Sequence, residues 1–446
     1  MSAAPAPAAH WADGALAAVM ERVAATEAAV GTRFPLYADP EDGRWTTTGR
    51  GSWTGGFWTG LLWLRARYTE DWADRRTAAA GTARLVPWAV ADTATRGLSF
   101  WYGTAPAGPD GRAAALRERA ARACLAAYDP ELGLLPWGGA LGGPRLLARA
   151  DGVPGTVPLL AGAGPRGAAA AAAHLHRHLD LCLGEDEGEV GARGIGGAAG
   201  TGGSVGTGGS AGGATGAGGA AGSGTGVPGG VPPARPHPAW SFDATAGWRP
   251  CEDPAPGWSR GRAWLLLAVA DALLRPGVAD SGLGPGPTGG AAARLDAAAG
   301  QLLAEAGVLA GRPVPPADSS RPDGPSDTSA AAITAVALLK LARVPGPRAA
   351  ACAERGEAVL RHLTEAHLTG RGPGRPAGML LDGCYDAGKG LAVRHELIWG
   401  DFFLALGLAE PAQAAQGAAE LQPFARDVQG AAGRAEEVVG GHADPV

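Results

Sequence analysis

Three tryptophans within eleven residues, Trp53, Trp58 and Trp63, stand among Gly55, Gly56 and Gly60 in the stretch WTGGFWTGLLWLRARYTED. Trp58, Leu61, Leu62, Leu64 and Arg65 fit one helix, and Trp53 precedes it on a loop where its ring can face a cleft. A second stretch, GWSRGRAWLLLAVADALL, sets Arg260 between Trp258 and Trp264, with Gly261 permitting close approach. A guanidinium held between flat apolar surfaces at a helix start suits a sugar carboxylate, because Arg binds carboxylates bidentately and helix N-terminal amides favour anions. A third stretch, HELIWGDFFLALGLAE, carries Trp399-Gly400-Asp401 at the head of another apolar helix, where Asp401 reads as a cap or loop anchor. Each pattern has a plainer alternative, in which the indoles are core and the arginine caps a loop carbonyl. The composition leans towards sugar: 14 Trp against 7 Phe and 5 Tyr is an excess of wide, flat side chains.

Other chemistry finds less support. His174, His176 and His178 form HLHRH, whose i and i+4 members share a helix face, but no nearby Cys or Glu completes a metal site, and an exposed polar face is expected. Asp327 heads DTSAAAITAVALL and can cap its free amides. Asp151, before Gly-Val-Pro, has the form of a turn residue. The five cysteines are far apart, odd in number and without a C-x-x-C pair, against structural zinc or a disulfide framework. A net charge of −5 gives no positive field for nucleic acid or an anionic membrane. With neither a signal-peptide pattern nor a long uncharged apolar run, a soluble cytoplasmic protein is expected, with no cofactor and no metal.

The elements that must position these residues are helices. The 446 residues include 74 Gly and 36 Pro, about a quarter of the chain, concentrated in loops and in one tract, 191–233, of Gly, Ala, Ser and Thr. That tract has almost no side chain able to offset the entropy of ordering it and reads as a disordered insertion. It lacks the Lys-Ser/Thr partner of a phosphate cradle. The rest is Ala/Leu-rich, punctuated by Pro and Gly, apolar at helical spacing and poor in β-branched alternation. The expectation is an all-α protein of about twelve helices, among them 71–91, 259–274, 327–342 and 411–439, which pair into six hairpins within one domain spanning 1–446.

Four ordered motifs carry a resemblance to a known family. WTGGFWTGLLWL, WSRGRAW, DTSAAAITAVALLKLA and LIWGDFFL resemble, in this order, the motifs of unsaturated glucuronyl hydrolases and unsaturated rhamnogalacturonyl hydrolases, glycoside hydrolase families 88 and 105. The resemblance spans nearly the whole chain outside the tract. It implies an (α/α)6 barrel with its cleft where inner-helix loops meet, and hydrolysis of oligosaccharides that begin with a 4,5-unsaturated uronic acid. Such chemistry needs one carboxyl that protonates C4 and then activates water for C5, so the two-carboxylate spacing of ordinary glycosidases does not govern it.

By the resemblance, Asp151 in LLARADGVPGTVPLL holds the general acid/base position, and Trp53, Trp58, Trp258, Arg260, Trp264 and Trp399 bind substrate. The family's histidine ahead of an FD pair corresponds to His237, upstream of Phe242-Asp243. There are departures. Ala94-Thr95 stand where the family has His-Asp, leaving Asp92 as the nearest second carboxylate, and Arg262 replaces a Gln. Two alternatives remain: an ordinary glycosidase using Asp151 with Asp92 or Asp401, and a carbohydrate-binding barrel without turnover.

Overall fold

The computed structural model describes residues 9–183, 236–281, 290–372 and 374–409. The tract 191–233 and a helix expected over 411–439 lie outside them.

Helices dominate, and they fall into two kinds according to how their apolar residues are spread. α1 (Ala9–Val30), α2 (Gly55–Thr69), α3 (Trp72–Leu85), α4 (Gly111–Ala127), α5 (Thr156–Ala161) and α6 (Pro165–Leu183) precede the tract. α7 (Ser259–Leu273), α8 (Ala291–Glu305), α9 (Thr328–Leu341), α10 (Ala349–Ala366) and α11 (398–409) follow it. In α2, α7 and α9 nearly every residue is buried whichever way it points, so these helices lie inside the fold. α8 and α10 instead bury one stripe, as in Cys352, Gly356, Val359, Leu360 and Leu363, and pack as a second layer: α8 on α7, α10 on α9, and α3 on α2. Phe57, Tyr102, Trp264, Phe402 and Phe403 meet at the centre, with Phe57 and Trp264 near-parallel at 6.2 Å and Phe402 edge-on to Phe403 at 5.1 Å.

The glycines of WTGGFWTG explain one feature of this interior. A Cβ on Gly56 would collide with the backbone of Leu98 and Ser99, and one on Gly60 with the carbonyl of Tyr102 and the ring of Phe402. Two bare positions one turn apart let the segment 97–104, which opens as a π-helical turn over Gly97–Trp101, lie directly on α2.

Two small antiparallel sheets were not expected. One has the order β2 (Trp45–Thr48), β1 (Phe34–Ala38), β7 (Leu391–Leu397), β6 (Gly383–Asp386), and the other β3 (Leu147–Arg149), β4 (Ala239–Asp243), β5 (Gly247–Pro250). Strands of three to seven residues offer little alternation to detect, and FPLYA or GWRP has no β-branched run. The helix expected to Ala91 stops at Leu85, because Pro87 falls in the tighter turn Val86–Val90 that follows.

Both sheets serve the same end of the helices. β3 carries Arg149 and leads into Asp151, while β6 carries Cys384 and Tyr385. Residues just ahead of α2, α5 and α7 face the same space.

Candidate functional site

A cleft of about 860 Å³ opens at that end. Its lining includes Trp53, Thr95, Trp137, Arg149, Asp151, Trp258, Arg260, Trp264 and Tyr385. These come from segments remote in sequence.

Asp151 sits on a one-turn 3₁₀ segment, Ala150–Gly152, directly after β3. Its position is fixed from three sides. Arg149 pairs with Ala239 across the β3–β4 ladder, and the Ala150 N–H donates to Pro238 O at 2.9 Å. Beneath the turn, fully buried His174 accepts from the Leu135 N–H through Nδ1 at 3.1 Å, which leaves Nε2 as donor to Gly152 O at 3.3 Å. One imidazole thereby ties the loop carrying Trp137 to the turn carrying Asp151. Burial holds the His174 pKa well below its ordinary value, so the ring stays neutral and keeps both roles. His176 and His178 are likewise buried and pushed down to about 4 by desolvation, which corrects the expectation of an exposed polar face. Among the described residues no cluster of His, Cys, Asp or Glu is arranged to hold a metal ion.

Above the turn, Arg149 holds Asp151. Its Nε lies 3.1 Å from Oδ1 and Nη2 3.5 Å from Oδ2, and the guanidinium rests over the Trp137 ring at 5.1 Å from the centroid. The charge of Asp151 raises the Arg149 pKa. Both side chains are about one-fifth exposed, towards the cleft.

Arg260 lines the cleft but already has partners within the fold. It is almost completely buried, ion-paired with Asp327, and donates through Nη1 to Cys384 O at 2.6 Å and through Nη2 to Tyr385 O at 2.7 Å. Asp327 also caps α9, accepting from the Ser329 N–H at 3.1 Å. Arg260 thus fastens β6 to the N-termini of α7 and α9, and an incoming carboxylate would have to compete with Asp327. It contributes to the wall, between Trp258 at 5.3 Å and Trp399 at 5.4 Å.

The other expected site residues divide. Trp53, Trp258 and Trp264 line the cleft, with Trp53 packed 5.0 Å from Trp399 and 6.2 Å from Tyr385. Trp399 is fully buried and supports those rings from behind. Trp58 is core, on a helix buried all round. His237 is buried off the cleft, its Nδ1 2.9 Å from Ala239 O. Asp92 does not line the cleft. It accepts from the Gly139 N–H and from Arg145 Nε, each at 3.0 Å, anchoring the loop that brings Leu141–Pro144 to the rim. Asp401 neither caps a helix nor reaches the cleft: it is buried against Glu396, itself bridged by Arg22 at 2.6 Å. The two residues offered as a second catalytic carboxylate are therefore both elsewhere. Thr95, with its Oγ1 2.9 Å from Thr93 Oγ1, stands on the wall itself.

Sequence reasoning missed Trp137, Arg149 and Tyr385. Trp137 precedes Gly138-Gly139 in a loop, the same aromatic-glycine signature as Trp53. For Arg149 the only signal is its place two residues before Asp151.

No family model matches the sequence, and no curated protein matches it. Solved structures do. The chain is similar to an unsaturated glucuronyl hydrolase from Streptococcus agalactiae, at 17% identity, TM-score 0.66, and coverage of 92% of this chain and 93% of that one. An unsaturated glucuronyl hydrolase from Bacillus sp. GL1, described as responsible for the degradation of glycosaminoglycan, matches at 20% identity, TM-score 0.64 and coverage of 90% and 96%. One specific for heparin matches at 16% identity, TM-score 0.67 and coverage of 91% and 98%. At these identities the likeness is one of fold.

Proposed function

We propose that this protein is a glycoside hydrolase acting on oligosaccharides with a 4,5-unsaturated uronic acid at the non-reducing end. The observation that carries the reading is the carboxyl of Asp151, about one-fifth exposed towards a cleft walled by Trp53, Trp137, Trp258, Trp264 and Tyr385. Indole and phenol faces suit sugar rings, and a volume of about 860 Å³ leaves room for more than one of them. The layered helices, with α2, α7 and α9 inside, agree with an (α/α)6 barrel formed by a single domain over 1–446. Five free cysteines fit a reducing cytoplasm. No described helix is long and apolar enough to cross a membrane, and the partner proposed is a small oligosaccharide, without nucleic acid or membrane.

In this mechanism Asp151, protonated, gives its proton to C4, and the C4–C5 double bond supplies the electron pair. Positive charge develops at C5 and is shared by the ring oxygen. Water then bonds to C5 while its proton passes to the Asp151 carboxylate, which restores the acid. The resulting C5 hemiketal opens to a ketone, and the hemiacetal left at C1 releases the aglycone. One water is consumed, and no second carboxylate is required.

The ultraviolet absorbance of the conjugated uronate tests this directly. Mixed with a lyase-generated unsaturated disaccharide, the protein should abolish that absorbance, and Asp151→Asn should slow the loss by about 10² to 10⁴-fold. An ordinary glycosidase spares the double bond. Persistent absorbance with tight binding would instead identify a carbohydrate-binding barrel, which the pairing of Asp151 with Arg149 favours as the second reading.

A further inference from the structure

The cleft as it stands poses two problems for the chemistry proposed above. Asp151 must carry a proton, yet its carboxyl is held by Nε and Nη2 of Arg149. The uronate also needs a cation, yet Arg260 is committed to Asp327, Cys384 O and Tyr385 O. Three arginines line the cleft among the described residues: Arg149, Arg260 and Arg321. Arg321 is 76% exposed at the rim, 4.0 Å from Asp318, where solvent screens it. Arg149 remains, with Nη1 not engaged by Asp151, its backbone fixed in β3 and its guanidinium spread on the Trp137 ring.

We infer that Arg149 receives the carboxylate of the ligand and, in doing so, releases Asp151, so that an anionic sugar arms the carboxyl that acts on it. This inference rests on the hydrolase reading for its consequence, though not for its geometry. The guanidinium keeps one carboxylate partner throughout, and the displaced Asp151 gives up its charge by taking a proton, so the site ends with one cation and one anion as it began. A neutral sugar offers nothing in return for Asp151 and leaves the pair closed. Once released, Asp151 stays on the cleft wall that Tyr385 also lines, with buried His178 and Cys182 close enough to feel its charge. It takes a proton from solvent and stands beside the ring whose carboxylate displaced it. Specificity for uronates and activation of the acid are then one event.

The test reads binding, which keeps it separate from turnover. Calorimetry compares a saturated uronyl disaccharide, which carries the carboxylate but no double bond to hydrate, with its neutral methyl ester on the wild type, Arg149→Gln and Asp151→Asn. Arg149→Gln should weaken the acid by about 10-fold or more and leave the ester within about 2-fold, since a charged hydrogen-bond partner is lost only to the anion. Asp151→Asn removes the internal competitor and should bind the acid several-fold more tightly than the wild type does. Unchanged affinity of Arg149→Gln for the acid, or weaker binding of the acid by Asp151→Asn, overturns the inference. Should Arg149→Gln fail to fold, the Asp151→Asn measurement decides alone. A wild type that shows this binding pattern but spares the absorbance refutes the hydrolase reading only, and one that turns over with the pattern absent refutes only the exchange.

Discussion

Arg260→Lys separates a ligand receptor from a structural clasp. The Arg260 side chain is 4% exposed and that of Asp327 1%, and the guanidinium reaches one carboxylate and two backbone carbonyls at once. An ammonium keeps the charge and can keep Asp327, but a single donor centre on an unforked stem cannot span both Cys384 O and Tyr385 O. At least one buried carbonyl loses its partner, at about 1–3 kcal/mol, and the remaining contacts lose their planar fit. The expected loss is roughly 2–4 kcal/mol, read as a lower urea midpoint at unchanged slope. Because β6 carries Tyr385 into the cleft, charged and neutral ligands should weaken together. If stability is unchanged and only the charged ligand weakens, the clasp is not what Arg260 does, and the expectation drawn from its sequence context stands.

Three further outcomes are expected. Between pH 6.5 and about 4 the unfolded chain takes up protons that buried His174, His176 and His178 refuse, so stability should fall as pH drops through that window, by about 1.4 kcal/mol per pH unit for each histidine. A denaturation midpoint that stays flat from pH 7 to 5 would contradict their burial. Burial and the charge of Glu396 raise the Asp401 pKa well above its ordinary value, so this group contributes stability at low pH and loses that contribution as pH rises through its folded pKa. Asp401→Asn should therefore be tolerated within about 1 kcal/mol and remove that dependence, while Glu396→Gln, which takes away the partner of Arg22, costs about 3–5 kcal/mol; equal losses would show that Asp401 is ionised. Finally, Gly60→Ala should cost about 1–3 kcal/mol by collision with Tyr102 and Phe402, whereas Gly300→Ala, in open space on α8, should gain up to about 1 kcal/mol in thermal unfolding.

Much of the helical frame was legible because its apolar residues repeat at helical spacing; Ser259–Leu273 and Thr328–Leu341 fall within a residue of their expected bounds. The sheets were not, since pairings such as Arg149 with Ala239 depend on segments separated by the glycine-rich tract. Within the site, Trp53 and Trp258 were legible from loops that bring an indole next to glycine. The ion pair of Arg260 was not legible because its partner Asp327 lies 67 residues away, and no local pattern announces a long-range ion pair. Trp58 and Trp264 look alike in sequence, yet one is core and one borders the cleft, a difference set by the turn of the helix that faces the opening. Asp92 illustrates the converse: nearness in sequence to the missing His-Asp pair did not bring it to the wall, because its carboxylate is spent on Gly139 and Arg145.

The cleft is bipartite along the chain. Trp53, Thr95, Trp137, Arg149 and Asp151 precede the glycine-rich tract, and Trp258, Arg260, Trp264 and Tyr385 follow it. The seam between the halves includes the β3–β4 and β1–β7 pairings, the Ala150–Pro238 hydrogen bond, the Arg22–Glu396 ion pair and the contact of α6 with α7. A chain interrupted within 191–233 yields two polypeptides, neither of which owns a complete wall but which share a large apolar seam and a ready-made strand pairing. Co-expressed, the two should reassemble through that seam, which co-purification of one half with a tag on the other would read, and any two proteins fused to the new ends would be scored for their proximity by that recovery.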